Sequence, residues 1–221
     1  MEGYVNLQNL AYRHLKKMIL DNQLENNVIY SETKVAKSIG ISRTPMRDAV
    51  RILAKEGFVD RIPSKGFTLH EMSLKDVLET FQIRCALEGF CSMQIANDCF
   101  SERSLKTICN LEGILRNQEQ ILNGSKSIAK FAKYDNSFHH QIVLHCKNQT
   151  MIEIYNIFIY KISRQIQIAL AYEDRMEKAY LEHKRILEKI KAGDTANIYK
   201  LSIDHMEIAT QIIPLVKSEI K

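Results

Sequence analysis

The sequence predicts a mainly α-helical protein in two parts, with a single β-hairpin about a third of the way along. Three observations carry that prediction. Apolar residues recur at helical spacing through most of the 221 residues. The pattern changes to two short strand-like runs only between residues 58 and 69. Basic residues are in excess ahead of that point: residues 1–69 hold 11 Lys/Arg against 7 Asp/Glu, and the remainder holds 20 against 19.

Hydrophobic residues at 45% suffice for a proper core, and charged residues at 26% are ordinary. The net charge of +5 is mild, but its N-terminal placement is where a phosphate backbone would want it. Five cysteines, an odd number without a Cys-x-x-Cys pair, argue for reduced thiols rather than a disulfide framework. No signal-peptide pattern opens the chain, and no run of about 20 apolar residues could span a bilayer. The expectation is a soluble, cytoplasmic protein with no membrane partner.

The first helix is expected over Leu7–Leu20, where Leu7, Leu10, Ala11, Leu15, Met18 and Ile19 keep a helical period. Asn26-Asn27 makes a turn, since asparagine tolerates positive φ. Ser31 caps a second helix running to about Ile39, and Gly40 breaks it. Ser42 then caps a third helix, with Pro45 tolerated in its first turn and Gly57 ending it. That helix sets Met46, Ala49, Val50 and Leu53 on one face, with Arg43, Thr44, Arg47 and Arg51 on or beside the other. Two short helices joined by a Gly-containing turn make a helix-turn-helix. Phe58–Ile62 and Phe67–Leu69 flank Pro63-Ser64-Lys65-Gly66, a hairpin with a basic tip beside the third helix. An arginine-rich first turn on a helix docked by a thin apolar stripe suits a major-groove reader. A solvated basic face would look the same by composition.

Residues 7–69 resemble the winged helix-turn-helix domain of the GntR family of bacterial transcription regulators. The likeness rests on Ser42-Arg43-Thr44-Pro45-Met46-Arg47-Asp48-Ala49 followed by Leu53-x-x-Glu56-Gly57-Phe58-Val59. It implies that Arg43, Thr44 and Arg47 read base edges, while Arg51 and the wing residues Lys65 and Gly66 meet backbone or minor groove. Two departures stand out. Asn26-Asn27 replaces the usual Pro-Gly and keeps the turn chemistry. Thr33 sits where Arg or Lys is common, which weakens one groove contact.

Residues 70–73 form a linker ending in the cap Ser73, and residues 74–221 read as helices only. Six are expected: Leu74–Ala96, Ser101–Leu122, Ser125–Cys146, Thr150–Tyr172, Asp174–Lys191 and Asp194–Lys217. Ser101, Ser125 and Asp194 mark starts, and Gly124 and Gly193 mark stops. Helices of this number and length suggest an antiparallel bundle.

Asp135 and His139 are four apart on one helix and share a face. His183 and His205 lie on the last two helices, which can line the same interior. A carboxylate and three imidazoles suit a divalent ion such as Zn²⁺ or Ni²⁺. Helical histidines are also common as packed core or surface residues, and spacing alone leaves both readings open.

Residues 74–221 also resemble the FCD effector-binding domain carried by the FadR branch of the family. The matching pieces are Arg84-x-x-Leu87-Glu88, Asp135-x-x-Phe138-His139-x-x-Ile142, Glu182-His183-x-x-Ile186, Gly193-Asp194 and His205. Six helices fit its shorter, VanR-like subgroup. The resemblance implies that Asp135, His139, His183 and His205 are the metal ligands. It also implies that Arg84 faces the cavity, where it could clamp an anion; the alternative is an i,i+4 bridge to Glu88. Arg164, Gln165, Tyr134 and Asn136 are further effector-contact candidates.

The function this implies is a homodimeric, ligand-responsive regulator, a repressor in most of the family. It would bind a palindromic operator in double-stranded DNA and respond to a small organic acid beside a divalent metal. A metal-sensing regulator is the alternative. A metal-dependent enzyme is a further alternative with little in its favour: there is no His-Glu-x-x-His motif, and four protein ligands exceed the three usual for catalytic zinc.

Overall fold

The computed structural model describes residues 7–21 and 23–219, with side chains described to residue 215. The chain divides into two compact units, Met1–Met72 and Ser73–Lys221. Among the described residues no helix is long and apolar enough to cross a membrane.

The first unit contains α1 (Leu7–Leu20), α2 (Glu32–Ser38), α3 (Arg43–Lys55), β1 (Val59–Ile62) and β2 (Gly66–Leu69). Its core joins Ala11, Leu15 and Ile19 of α1 to Met46, Ala49, Val50 and Leu53 of α3, closed by Phe58 and Phe67. The α3 stripe is the one the helical period predicts, whereas in α1 only Ala11, Leu15 and Ile19 of the expected stripe are buried, Leu7 and Leu10 being exposed. Tyr12 donates to both Glu56 carboxylate oxygens (3.0 and 2.8 Å), tying α1 to the end of α3. Ser31 and Ser42 occupy the N-cap positions of α2 and α3, but neither side chain makes a capping hydrogen bond.

β1 and β2 pair antiparallel with Val59 opposite Leu69 and Ile62 opposite Gly66. Tyr30, after the Asn27 turn (φ 61°), adds an isolated bridge to Phe67. It donates to Phe67 O (2.7 Å) and accepts from Phe67 N (3.0 Å). This pairing explains Gly66: with φ +137°, a Cβ there would stand 2.0 Å from Tyr30 O.

The second unit is the helical bundle. It comprises α4 (Leu74–Arg84), a π turn (Cys85–Gly89), α5 (Phe90–Asn97), α6 (Glu102–Asn123), α7 (Ile128–His145), α8 (Gln149–Leu170), α9 (Arg175–Lys191) and α10 (Thr195–Glu219). Ser73 and Asp76 form a reciprocal capping box at the start of α4. Three expectations need correction. The helix expected over 74–96 carries a π turn at its centre, which inserts a residue and re-aims the side chains of α5. The cap of α7 is Ser127, accepting from Lys130 N, so Ser125 lies outside the helix. α8 begins earlier than Thr150, because Asn148 Oδ1 accepts from Met151 N.

Two apolar clusters fill the bundle. One gathers Cys91, Ile95, Leu111, Phe138, Ile142, Ile186 and Ile190; the other gathers Phe131, Ala132, Val143, Tyr155, Ile162 and Ala179. α7 supplies residues to both, so the stripe between them, carrying Asp135 and His139, is enclosed within the bundle.

The Gly66 packing gives a direct test. Gly66→Ala is expected to cost the winged unit about 2–3 kcal/mol, from overpacking and backbone strain together. Urea unfolding followed through the first unit checks it; an unchanged midpoint would show that the strand does not press on Tyr30.

Candidate functional site

α3 presents a basic face because its apolar stripe consumes only one side. Arg43, Thr44, Arg47 and Arg51 are all exposed, as are Thr33 on α2 and Lys65 at the wing tip. Arg43 donates through Nε to Glu32 (3.1 Å), a carboxylate that is itself buried. The bond orients the guanidinium and leaves its terminal nitrogens for a partner. Arg51 lies 3.6 Å from Asp48 in an i,i+3 pair. Gly66 is half-buried against Tyr30, so its part in the wing is the shape of the tip.

The bundle brings four side chains to one point. Asp135 and His139 come from one face of α7, His183 from α9 and His205 from α10, and all four are at least nine-tenths buried. His183 Nε2 and His205 Nε2 stand 3.1 Å apart, and His205 Nε2 and His139 Nε2 stand 3.3 Å apart. Asp135 lies 3.4 Å from His139 Nε2 and 3.8 Å from His183 Nε2.

Each imidazole is held from behind. His139 Nδ1 is 2.7 Å from Glu88 Oε2, His205 Nδ1 is 2.6 Å from Glu182 Oε2, and His183 Nδ1 is 3.2 Å from Gln118 Oε1. An acceptor behind each Nδ1 favours the tautomer protonated there, which turns three bare Nε2 lone pairs toward one another. Such lone pairs repel unless they share a proton or a metal cation. Nitrogens about 2.1 Å from one ion would themselves stand roughly 3.0–3.4 Å apart, and both Nε2 separations fall in that range. The donor set therefore fits a divalent metal.

The two glutamates are held in turn by buried arginines. Arg84 donates to Glu88 (Nε 2.6 Å, Nη2 3.3 Å), and Arg175 donates bidentately to Glu182 (2.8 and 2.6 Å). The Arg84–Glu88 bridge is the i,i+4 alternative raised by spacing, and the π turn forms part of it. Burial pushes the Glu88 carboxyl up, but the charges of Arg84 and His139 outweigh it and bring its pKa down to about 2. Burial likewise opposes ionisation of Asp135, and its contacts with His139 and His183 hold the carboxyl below the usual range. Burial lowers the pKa of His183 and His205, whereas beside Glu88 that of His139 is raised.

Arg84 is offset by Glu88 and Arg175 by Glu182, so Asp135 has only the histidines as partners. A cavity of about 30 Å³ opens beside it, lined by Arg84, Asp135, His139, Arg175 and His205 with apolar side chains from α8, α9 and α10.

The remaining candidates do not line this cavity. Tyr134 and Asn136 flank Asp135, so each projects roughly 100° around the helix. Tyr134 lines a separate, open cavity between α6 and α7, and Asn136 donates to Ala132 O and Ser163 Oγ. Arg164 donates to Gln167 and Gln165 to Val77 O. Arg175, Glu182 and Gln118 belong to the site, although the sequence marks only Glu182, as part of the Glu182-His183 motif, and gives none of them a role there. Their only signal is charge or polarity at helix positions destined for burial, with Glu182 beside His183.

Comparison with known proteins agrees with this architecture. Residues 7–69 match the family model described as bacterial regulatory proteins, gntR family, and residues 79–208 match the FCD domain. The HTH-type transcriptional regulator YdhC of Bacillus subtilis (strain 168) is 32% identical over 187 residues, covering 81% of this chain and 79% of YdhC. The gluconate operon transcriptional repressor of Bacillus licheniformis is 26% identical, covering 79% of this chain and 68% of the repressor. Among solved structures, E. coli McbR/YncC superposes with a TM-score of 0.76 at 17% identity, over 99% of this chain and all of its own. The chain is a DNA-binding transcriptional regulator, not an enzyme, and belongs to the GntR family, among the members that carry an FCD domain.

Proposed function

We propose that the protein is a homodimeric repressor whose bundle binds a divalent metal, Zn²⁺ or Ni²⁺, together with a small carboxylate effector that alters operator affinity. The observation that carries this reading is the convergence of three Nε2 atoms and Asp135, each imidazole backed by its own acceptor. Asp135, His139, His183 and His205 are the ligands. With a divalent ion bound by Asp135 and three neutral imidazoles the net charge there would be +1, and an anion beside the two arginines would balance it. Of the proposed effector contacts, Arg84 stands at the cavity; Arg164, Tyr134 and Asn136 would join only if it extended.

In the first unit, Arg43, Thr44 and Arg47 read base edges, Thr33 borders them on α2, and Arg51, Lys65 and Gly66 meet backbone or minor groove. Two copies related by a two-fold call for a palindromic operator. The effector acts by binding one arrangement of the dimer better than another.

The cavity's size favours a second reading. At about 30 Å³ it has room for a water-sized group and not for most organic acids. In that reading the metal itself is the signal.

Arg47→Ala is expected to weaken binding to operator DNA, selected from genomic fragments, by roughly 10- to 100-fold, the worth of one base-reading arginine. Gel retardation measures it, and unchanged retardation removes Arg47 from the reading face. For the bundle, Zn²⁺ or Ni²⁺ added to chelator-treated protein is expected to raise the melting temperature, by the equivalent of about 2.7 kcal/mol at a hundredfold excess over Kd. His183→Ala should abolish that response. No rise with either metal would defeat the assignment, and operator release by metal alone would select the second reading.

A further inference from the structure

Five cysteines remain in the thiol form, and two of them meet. Cys91 Sγ on α5 and Cys146 Sγ at the end of α7 lie 2.9 Å apart in an S–H···S contact. They are 55 residues apart in sequence, so the tertiary packing of α5 on α7 makes this pair. Cys91 is fully buried in the core cluster with Phe138 and Ile142, while Cys146 packs against the same cluster and keeps part of its surface open. A disulfide needs its sulfurs about 2.05 Å apart, so the pair has less than about 1 Å to travel in total.

We propose that Cys91 and Cys146 are a peroxide-oxidisable couple, closing to a disulfide that fastens α5 to the end of α7. Cys146, the more accessible, reacts first. Its thiolate attacks one peroxide oxygen, the O–O bond breaks, and the leaving hydroxide takes up a proton to become water. Cys146 is then a sulfenic acid. Cys91 Sγ attacks that sulfur, the S–S bond forms, the S–O bond breaks, and the hydroxide leaves as water with the Cys91 proton. Two thiols have lost two electrons and hydrogen peroxide has become two waters. The thiol pair itself assists the first step: the contact with Cys91 lowers the pKa of Cys146, and the nearby charge of Arg103 acts the same way. The same contact and burial raise that of Cys91, which fits the second, resolving role.

The helices joined are the ones that build the histidine site. Glu88 lies three residues before Cys91 in the run from α4 to α5, and His139 lies seven before Cys146 in α7. The couple does not depend on a metal at that site, so its test is independent of the proposed function.

Reduced full-length protein exposed to hydrogen peroxide, quenched with N-ethylmaleimide and digested, is expected to yield a peptide pair joined through Cys91 and Cys146. Titration of the denatured protein should show two of its five thiols lost and restored by dithiothreitol. Cys91→Ser should instead leave Cys146 as a sulfenic acid that dimedone traps. Persistence of all five thiols, oxidation led by exposed Cys109, or a Cys91→Ser product identical to that of the parent would each overturn the proposal.

Discussion

Two arginine–glutamate–histidine chains, one buried and one partly exposed at Glu182, support the second unit. Arg84 holds Glu88, which holds His139; Arg175 holds Glu182, which holds His205. Charges taken out of water are tolerated only when each finds a partner of good geometry, and removing one partner from such a pair costs about 3–5 kcal/mol. These chains therefore constrain the π turn, α7, α9 and α10 together. What they enclose is a carboxylate with no arginine of its own and three imidazole nitrogens turned toward one another. The stability of the bundle and the chemistry of its centre are parts of one electrostatic arrangement.

Much of this is legible from the residues. Helical period locates each element, the β-type runs locate the wing, and the i,i+4 spacing of Asp135 and His139 sets them on one face. The π turn is not legible, because one inserted residue leaves the surrounding apolar spacing nearly intact while rotating Glu88 toward a helix some fifty residues away. Ser125 and Ser127 are equally good caps by chemistry; only the geometry of the loop after Gly124 selects between them. Tyr134 and Asn136 attract attention because they neighbour Asp135 in sequence, yet neighbours on a helix point away from one another. Arg175, Glu182 and Gln118 become site residues only once α6, α9 and α10 have packed, and no local pattern encodes that packing.

The two faces of α7 explain why a polar centre survives inside an apolar bundle. Phe138 and Ile142 belong to one cluster, Phe131, Ala132 and Val143 to the other. The apolar clusters supply the burial that drives folding, and the polar stripe between them is carried along, satisfied by partners from its neighbours. Low polarity around the stripe strengthens each of those interactions.

The bridge between Tyr30 and Phe67 has a consequence for how operators are discriminated. It stitches the segment leading into α2 to the second wing strand, so helix-turn-helix and wing form one stiff reader. The span from the Arg47 side chain to the Lys65 tip is then set by the protein, and on the proposed contacts it is the DNA that would bend, narrow or untwist to meet both. On that reading, sites whose intervening steps deform cheaply would bind better than equally matched sites with rigid steps, and base pairs that the protein never touches would contribute to its choice of operator.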